Sequence, residues 1–191
     1  MSKAEIKYDL QIRFGTMYGK EEERAVLEVL KAGAPTSAEK CVEFEKDFAA
    51  YTGSKYARVV SNGTAALFLP MVALGVGPGD TVLTTPLTWI ATAAVAATLG
   101  AKVDFVDIDP ETFNIDPEKL EAKLKKGRVK ALLPVHLYGQ CCEMDEILAL
   151  SKQYRFAVVE DACHAPGAEY KGKKAGTFGI AGAFSFHEQK N

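Results

Sequence analysis

The sequence is poor in cysteine, and its cysteines do not form the patterns that disulfide frameworks or zinc sites require. The chain of 191 residues contains four cysteines at irregular spacing and no CxxC pair. Small disulfide-stapled domains and zinc-binding modules are therefore excluded. We expect reduced thiols and no metal site.

Long hydrophobic runs are also missing. No window reaches the roughly 18 apolar residues that a membrane span needs, and the charged start, Met1 to Glu5, has no apolar stretch after it. The sequence thus predicts no contact with a membrane and no secretory leader. We expect a cytoplasmic protein.

The chain also lacks an excess of charge of one sign. The 23 basic and 25 acidic side chains leave a formal net charge of -2, and the longest run of like charge is Glu21 to Glu23. Nucleic-acid binding needs a basic face that neutralises phosphates. Nucleic acid is therefore an improbable class of partner on composition alone.

What the sequence does have is enough apolar material for a core, arranged in short runs between helical patterns. Hydrophobic residues make up 48% of the chain. Strand-like runs, each too short for a helix and rich in Val, Leu or Phe, occur at 56–60, 81–85, 102–106, 130–135, 156–160 and 181–186.

Helical periodicity fills the intervals between these runs. It predicts helices at 20–33, 37–52, 64–75, 88–99, 117–126 and 143–154. Successive β-α-β units form a mainly parallel sheet covered on both faces, so the fold class is α/β. We divide the chain into an N-terminal helical segment, residues 1–54, and a sheet domain, residues 55–191.

Polar residues collect where the predicted strands end, which is where parallel α/β sheets bind ligands. Asp161 and His164 follow one apolar strand, and charge there is costly unless it has a partner. Ser185 and Lys190 follow the last strand, and a lysine at such an edge is either a desolvated nucleophile or a solvated terminal residue.

Two further strand ends add a glycine and an aromatic ring. Gly63 and Thr64 open a helix whose first amides could cradle an anion, although a plain helix cap has the same pattern. Trp89, the only tryptophan of the chain, begins another helix and either stacks on a ligand ring or packs in the core. An anion cradle, a flat aromatic, an acid and a lysine together suit pyridoxal 5'-phosphate (PLP).

The sequence also resembles a known family, the DegT/DnrJ sugar aminotransferases, which are fold-type I PLP-dependent enzymes. The resemblance covers nearly the whole chain. Asp161, His164, Ser185 and Lys190 stand at offsets 0, 3, 24 and 29, as in the family's site. The segments that match, in the family's order, are FEKDFAAYTGSKYARVVSNGTAAL, GVGPGDTVLTTPLTWIATAAV, VDFVDIDPETFNID, LPVHLYGQ, VVEDACHAPGAEYKGKKAG and AFSFHEQKN.

The resemblance implies a role for each candidate site residue. Lys190 is expected to be the Schiff-base lysine and the base that moves the substrate proton. Asp161 is expected to pair with the pyridinium nitrogen and His164 to contact the ring's phenolic oxygen, where many relatives have Gln. Dehydratase relatives have His at the lysine position, so Lys190 favours transamination. The remaining expected cofactor contacts are the phosphate ligands Gly63, Thr64 and Ser185, and Trp89 stacked on the ring.

The same resemblance implies partners and a missing part. An amino acid, commonly glutamate, would donate the amino group to a nucleotide-linked keto sugar, and the enzyme would be a homodimer. Relatives continue beyond the lysine into another strand and a C-terminal small domain, whereas this chain stops at Asn191. We therefore expect a partial PLP-binding large domain, part of a longer polypeptide, whose strand at 56–60 lacks a neighbour.

Two rival functions remain open at this stage. The same chemistry on a keto cyclitol fits equally, because part of the acceptor site lies in the region that is absent. A noncatalytic regulator or binding module that keeps the fold and the ligand is the alternative from another class. A plain nucleotide-binding domain is disfavoured because no Gly-rich loop runs from a strand into a helix.

Overall fold

The computed structural model describes residues 18–33, 39–187 and 190. Two compact units divide the chain, Met1–Val42 and Glu43–Asn191. Residues 1–17 and 34–38 of the N-terminal segment predicted at 1–54 lie outside the described residues, and they include residues 37 and 38 of the second predicted helix. The domain boundary at residue 54 stays a prediction.

Helix α1 (Lys20–Lys31) buries none of its residues. It is stabilised by hydrogen bonds and charges at its two ends. The carboxylate of Glu22 accepts the N–H of Gly19 at 2.6 Å, which satisfies one of the free amides of the first turn. Three acids in the first turn and Lys31 in the last complement the helix dipole.

The second unit is built on a five-stranded parallel sheet. Its strands lie in the order β2-β1-β3-β4-β7, with β2 and β7 at the two edges. A separate two-stranded antiparallel hairpin pairs β5 with β6. The strands are β1 (Thr81–Thr84), β2 (Lys102–Phe105), β3 (Ala131–Leu133), β4 (Ala157–Asp161), β5 (Glu169–Tyr170), β6 (Lys173–Lys174) and β7 (Ala181–Ala183).

Helices connect consecutive strands and cover both faces of the sheet. Leu132 packs in one apolar cluster and its neighbour Leu133 in the other, as the alternation of a strand requires. The helices that follow α1 are α2 (Glu39–Thr52), α3 (Gly63–Ala73), α4 (Ala91–Thr98), α5 (Pro117–Leu124) and α6 (Met144–Tyr154). The predicted fold class and helices are confirmed. Among the described residues, no helix has the length and hydrophobicity needed to cross a membrane.

Five of the six predicted strands are confirmed, and the strand at 56–60 is wrong. Those residues have no regular secondary structure and form no ladder with any described strand, and Tyr56 is 70% exposed. Instead, Glu45 of α2 binds the segment by accepting the N–H of Val59 at 3.0 Å and pairing with Arg58 at 2.7 Å. The run has strand composition but no neighbouring strand with which to pair.

A buried carboxylate fixes the connection between β4 and β7, which carries the site residue His164. Glu160 is fully buried, and its oxygens accept the N–H groups of Gly176, Phe178 and Gly179 at 2.6 to 2.8 Å. The ring of His136, also fully buried, lies 2.9 Å from the same carboxylate. Four donors around one carboxylate compensate the cost of burying its charge.

Candidate active site

The carboxyl-terminal edge of the sheet brings the polar strand ends of the sequence together. β4 ends at Asp161 and β7 ends two residues before Ser185, and the two strands pair in parallel. The N-terminal ends of α3 and α4 lie at the same edge. In parallel α/β sheets this edge is where ligands bind.

Asp161 is held in a fixed orientation although it is only 4% exposed. Its Oδ2 accepts the hydroxyl of Thr92 at 2.7 Å, and its Oδ1 accepts the N–H of Cys163 at 3.2 Å. The site therefore offers a buried, oriented carboxylate at the end of β4.

Thr92 is a site residue that the sequence reasoning missed. It lies in the first turn of α4, contacts Thr88 at 2.9 Å, and reaches Asp161 across 69 residues of sequence. A threonine in an alanine-rich helix gives no signal of its own. Its position three residues after Trp89, at a helix start on the binding edge, was the one available clue.

His164 and Lys190 are in direct hydrogen-bond contact through Nε2 and Nζ. Both are half-buried. Burial lowers the pKa of His164, a positive charge on Lys190 lowers it further, and the charge of Asp161 opposes both. The imidazole is therefore biased towards its neutral form beside the lysine.

Trp89 lies beside the same lysine, not in the core. Its ring centroid is 5.9 Å from the Nζ atom of Lys190, and its side chain is 68% exposed. This exposure favours the predicted role of a flat surface for a ligand ring over the alternative of a core residue.

Gly63, Cys163 and Ser185 form a tight corner at the start of α3. A Cβ atom added at Gly63 would lie 3.0 Å from Cys163 Sγ and 3.2 Å from Ser185 Cβ. Asn62 caps the helix by accepting the N–H of Ala65 at 2.8 Å. Two side chains therefore pack closely against Gly63 at the positive end of α3, and the amides of the first helical turn are the groups that could cradle an anion.

The other two side chains near this corner differ in character. Thr64 is exposed in the first turn of α3, next to the cradle. Burial, and after it the negative charge of Asp161, raises the pKa of the Cys163 thiol well above its usual range. Since the thiolate is the reactive form, Cys163 fills space instead of acting as a nucleophile.

Asp161 and His164 lie on one short segment, and the other five predicted site residues lie around it. Gly63 packs against Cys163 and Ser185 on one side, with Thr64 adjacent in sequence to Gly63. Lys190 contacts His164 and lies near Trp89 on the other side. This donor set fits PLP, because the amides at the start of α3 suit a phosphate, the carboxylate suits a protonated ring nitrogen, and the lysine suits an aldehyde.

A parallel α/β sheet with a lysine, a buried aspartate and an anion corner at its carboxyl edge defines the large domain of a fold-type I PLP enzyme. The sequence profile of the DegT/DnrJ/EryC1/StrS aminotransferase family matches residues 16–191. The chain belongs to this family, which confirms the resemblance seen in its sequence.

Curated relatives match at high identity. The chain is 48% identical over 175 residues to the spore coat polysaccharide biosynthesis protein SpsC of Bacillus subtilis, covering 92% of this chain and 45% of SpsC. It is 52% identical over 149 residues to the GDP-perosamine synthase of Caulobacter vibrioides, covering 78% of this chain and 40% of that protein. The chain therefore spans somewhat less than half the length of these relatives.

Solved structures agree with the fold and with the cofactor. The aminotransferase from Psychrobacter cryohalolentis superposes with a TM-score of 0.86 at 39% identity, over 91% of this chain and 44% of that chain. The PLP form of a sugar aminotransferase, Spr1654, from Streptococcus pneumoniae superposes at 0.83 and 29% identity, over 91% of this chain and 48% of that one. The family is PLP-dependent, so the predicted cofactor is confirmed at the level of the family.

Proposed function

We propose that the protein is a PLP-dependent aminotransferase that moves an amino group from an amino acid, glutamate in the first instance, to a nucleotide-linked keto sugar. The observation that carries this proposal is the contact of Lys190 with His164 at the edge that also holds Asp161 and the Gly63 corner. The names of relatives support the acceptor, since one is a GDP-perosamine synthase.

The cradle residues would hold the phosphate of the cofactor. The free amides at the start of α3 would donate to it, together with the hydroxyls of Thr64 and Ser185. Trp89 offers an exposed ring face for the pyridine ring. The helix dipole favours the dianion without a buried cation in the corner.

Asp161 and Lys190 would share the chemical work. When bound, PLP supplies an electron sink that makes the proton on the substrate's amino-bearing carbon removable. The carboxylate of Asp161, oriented by Thr92, would stabilise a proton on the ring nitrogen. The Nζ atom of Lys190, once free, would accept the substrate proton and return it to a different carbon.

Covalent trapping on Lys190 tests the proposal most directly. The protein is incubated with PLP, reduced with borohydride and analysed by intact mass and peptide mapping. We expect one reduced cofactor adduct, located on Lys190, and none in the Lys190→Ala variant. The matched control is Lys20→Ala, which removes an exposed lysine of α1 and should keep the adduct. No adduct on Lys190 in the wild type would overturn the proposal.

Half-reactions then separate the alternatives. With glutamate, the cofactor spectrum should change from the aldehyde to the amine form, and a nucleotide-linked keto sugar should reverse the change. Reversal only by a keto cyclitol would select the rival acceptor. A protein that binds PLP but turns over no donor would be the noncatalytic module.

We also propose a homodimer, as the family resemblance implies. Trp89 and Ile90 are 68% and 75% exposed beside the site, and Leu69 and Val72 are about half exposed on α3. Such a group of apolar side chains suits an interface with a second copy. Sedimentation velocity at micromolar concentration should give twice the chain mass, and a monomer would contradict the proposal.

A cytoplasmic location completes the proposal. All four cysteines are free, including the adjacent Cys141 and Cys142, which suits a reducing compartment. Cell fractionation with an antibody to the protein checks this, and recovery from a membrane or extracellular fraction would contradict it.

A further inference from the structure

Tyr138 adopts an unusual conformation at the site. Its φ is 52°, in the left-handed region that residues with a side chain seldom adopt. Its side chain is 78% exposed, yet the ring stacks on that of His164 with centroids 5.8 Å apart and an interplanar angle of 20°. The backbone of Tyr138 is strained, and its exposed ring lies flat on a site residue. Such a conformation persists only where the surrounding structure holds it.

The turn that carries Tyr138 is prebuilt by a buried side chain from another part of the chain. Asn114 is 2% exposed. Its Oδ1 accepts the N–H of Leu137 at 3.1 Å, and its Nδ2 donates to the carbonyls of Gln140 at 3.0 Å and Cys141 at 3.1 Å. One amide therefore clamps both ends of the turn Leu137–Cys141.

A second brace holds the same turn from the sheet. The Nδ1 atom of His136 accepts the N–H of Cys142 at 3.1 Å, so the ring proton of the neutral imidazole is on Nε2, 2.9 Å from the buried Glu160. His136 precedes the turn and Cys142 follows it. The strained residue is thus kept in place by buried hydrogen bonds on either side of it.

The main chain of Tyr138 also reaches the His164 ring. Its N–H points at Nδ1 of His164 at 3.5 Å, and Nε2 of the same ring contacts Lys190. A nitrogen that faces a donor is an acceptor, so the ring proton sits on Nε2. The charged groups that face this ring are Lys190 and Asp161.

We propose that the turn Leu137–Cys141 is a clamp for His164, in which Tyr138 is a positioning residue that fixes the imidazole plane and its Nε2–H tautomer towards Lys190. This inference rests on the proposed function for its purpose, because a defined donor beside the lysine matters only if the lysine reacts. Without the stacked ring, the imidazole could rotate and exchange its two nitrogens, since rotation about χ2 is soft.

Nitrogen NMR of histidine in the cofactor-free protein tests the clamp. The sequence has three histidines, so ¹⁵N-histidine labelling gives few signals. We expect His164 in the wild type to show a single Nε2–H tautomer near neutral pH. Tyr138→Phe, which keeps the ring, should preserve that pattern, whereas Tyr138→Ala should give a mixture of tautomers.

The fold and the local effect are separated by controls within the same spectra. His136 reports on the turn, and its signals should not move in Tyr138→Ala. If they do, Tyr138→Leu, which keeps bulk but no flat face, answers the same question. Tyr56→Ala removes another exposed tyrosine, 70% exposed and away from His164, and should leave all signals unchanged.

Activity and cofactor trapping give the second readout. Under the proposed function, kcat/KM of Tyr138→Ala should fall by about tenfold, as small misplacements of a reacting group do, while Tyr138→Phe stays within about twofold of the wild type on the same reasoning. An unchanged His164 tautomer in Tyr138→Ala and Tyr138→Leu would overturn the clamp. A missing adduct on Lys190 would overturn the proposed function alone, because the NMR result needs no cofactor.

Discussion

At the scale of single residues, Gly63 occupies a position with no room for a side chain. Cys163 Sγ and Ser185 Cβ both lie within 3.2 Å of where a Cβ atom would be. A side chain at Gly63 would therefore displace Ser185 or the start of α3, which carry the proposed phosphate donors.

Gly63→Ala should therefore weaken PLP binding by about tenfold or more, equivalent to ~1.4 kcal/mol. An absorbance titration with PLP measures the change. Adding Cys163→Ala removes the nearest atom and should restore part of the affinity. Gly127→Ala is the matched control, because no atom lies within 4 Å of its Cβ position, and wild-type affinity in Gly63→Ala would show that the corner is not the phosphate site.

Thr92 supports a second prediction at this scale. Thr92→Val keeps the shape but leaves the buried Oδ2 of Asp161 without its hydroxyl donor at 2.7 Å. The free energy of unfolding should fall by about 1–3 kcal/mol, the cost of an unsatisfied buried group. Urea denaturation measures it, and Thr92→Ser, which keeps the hydroxyl, should lose much less. Equal stability of the Val and Ser variants would contradict this role.

The sequence was informative for the residues of the site whose position follows from strand ends. Asp161 and Lys190 could be placed because parallel strands deliver their ends to one edge. Thr92 and Tyr138 could not, since each acts on a residue far along the chain. A hydrogen bond across 69 residues, or a ring stacked on another loop, is a property of the packing.

Among the elements, the strands show why local composition predicts some structure and not the rest. The run at 81–85 forms β1 because β2 and β3 lie on either side of it. The run at 56–60 is equally apolar but forms no ladder, because no described strand lies beside it. Whether an apolar segment forms a strand depends on the strands beside it. The local sequence does not specify those neighbours.

The connection between β4 and β7 depends on one buried carboxylate. Glu160→Gln replaces an oxygen that faces backbone N–H groups with an amide that also donates, and it removes the charge that the buried His136 faces. Leaving a buried donor without its acceptor costs about 1–3 kcal/mol. We expect a loss of this size in the free energy of unfolding, measured by urea denaturation.

An exposed glutamate in the same connection provides the comparison. Glu169 of β5 pairs with Lys174 at 2.9 Å, and its side chain is 50% exposed. Glu169→Gln should change the free energy of unfolding by no more than about 1 kcal/mol, as surface ion pairs do. Similar losses in the two variants would mean that Glu160 does not anchor the connection.

At the scale of the whole molecule, the chain covers 45% of SpsC and contains the site residues predicted for the large domain. The acceptor sugar, the donor and the second subunit concern the protein as a whole, and they are therefore the parts that need solution experiments. The fold and the family, by contrast, follow from this chain alone.

The two edges of the sheet differ in a way that bears on how the protein behaves when it is concentrated or heated. β2 carries Lys102 and Asp104, charges of the kind that discourage one sheet from adding to another. β7 has the sequence Ala-Gly-Ala, and Ile180 just before it is 63% exposed. Aggregation through strand addition should therefore begin at β7. Ile180→Lys should slow the growth of light scattering on heating, whereas Phe113→Lys, at an exposed apolar residue outside the sheet, should not.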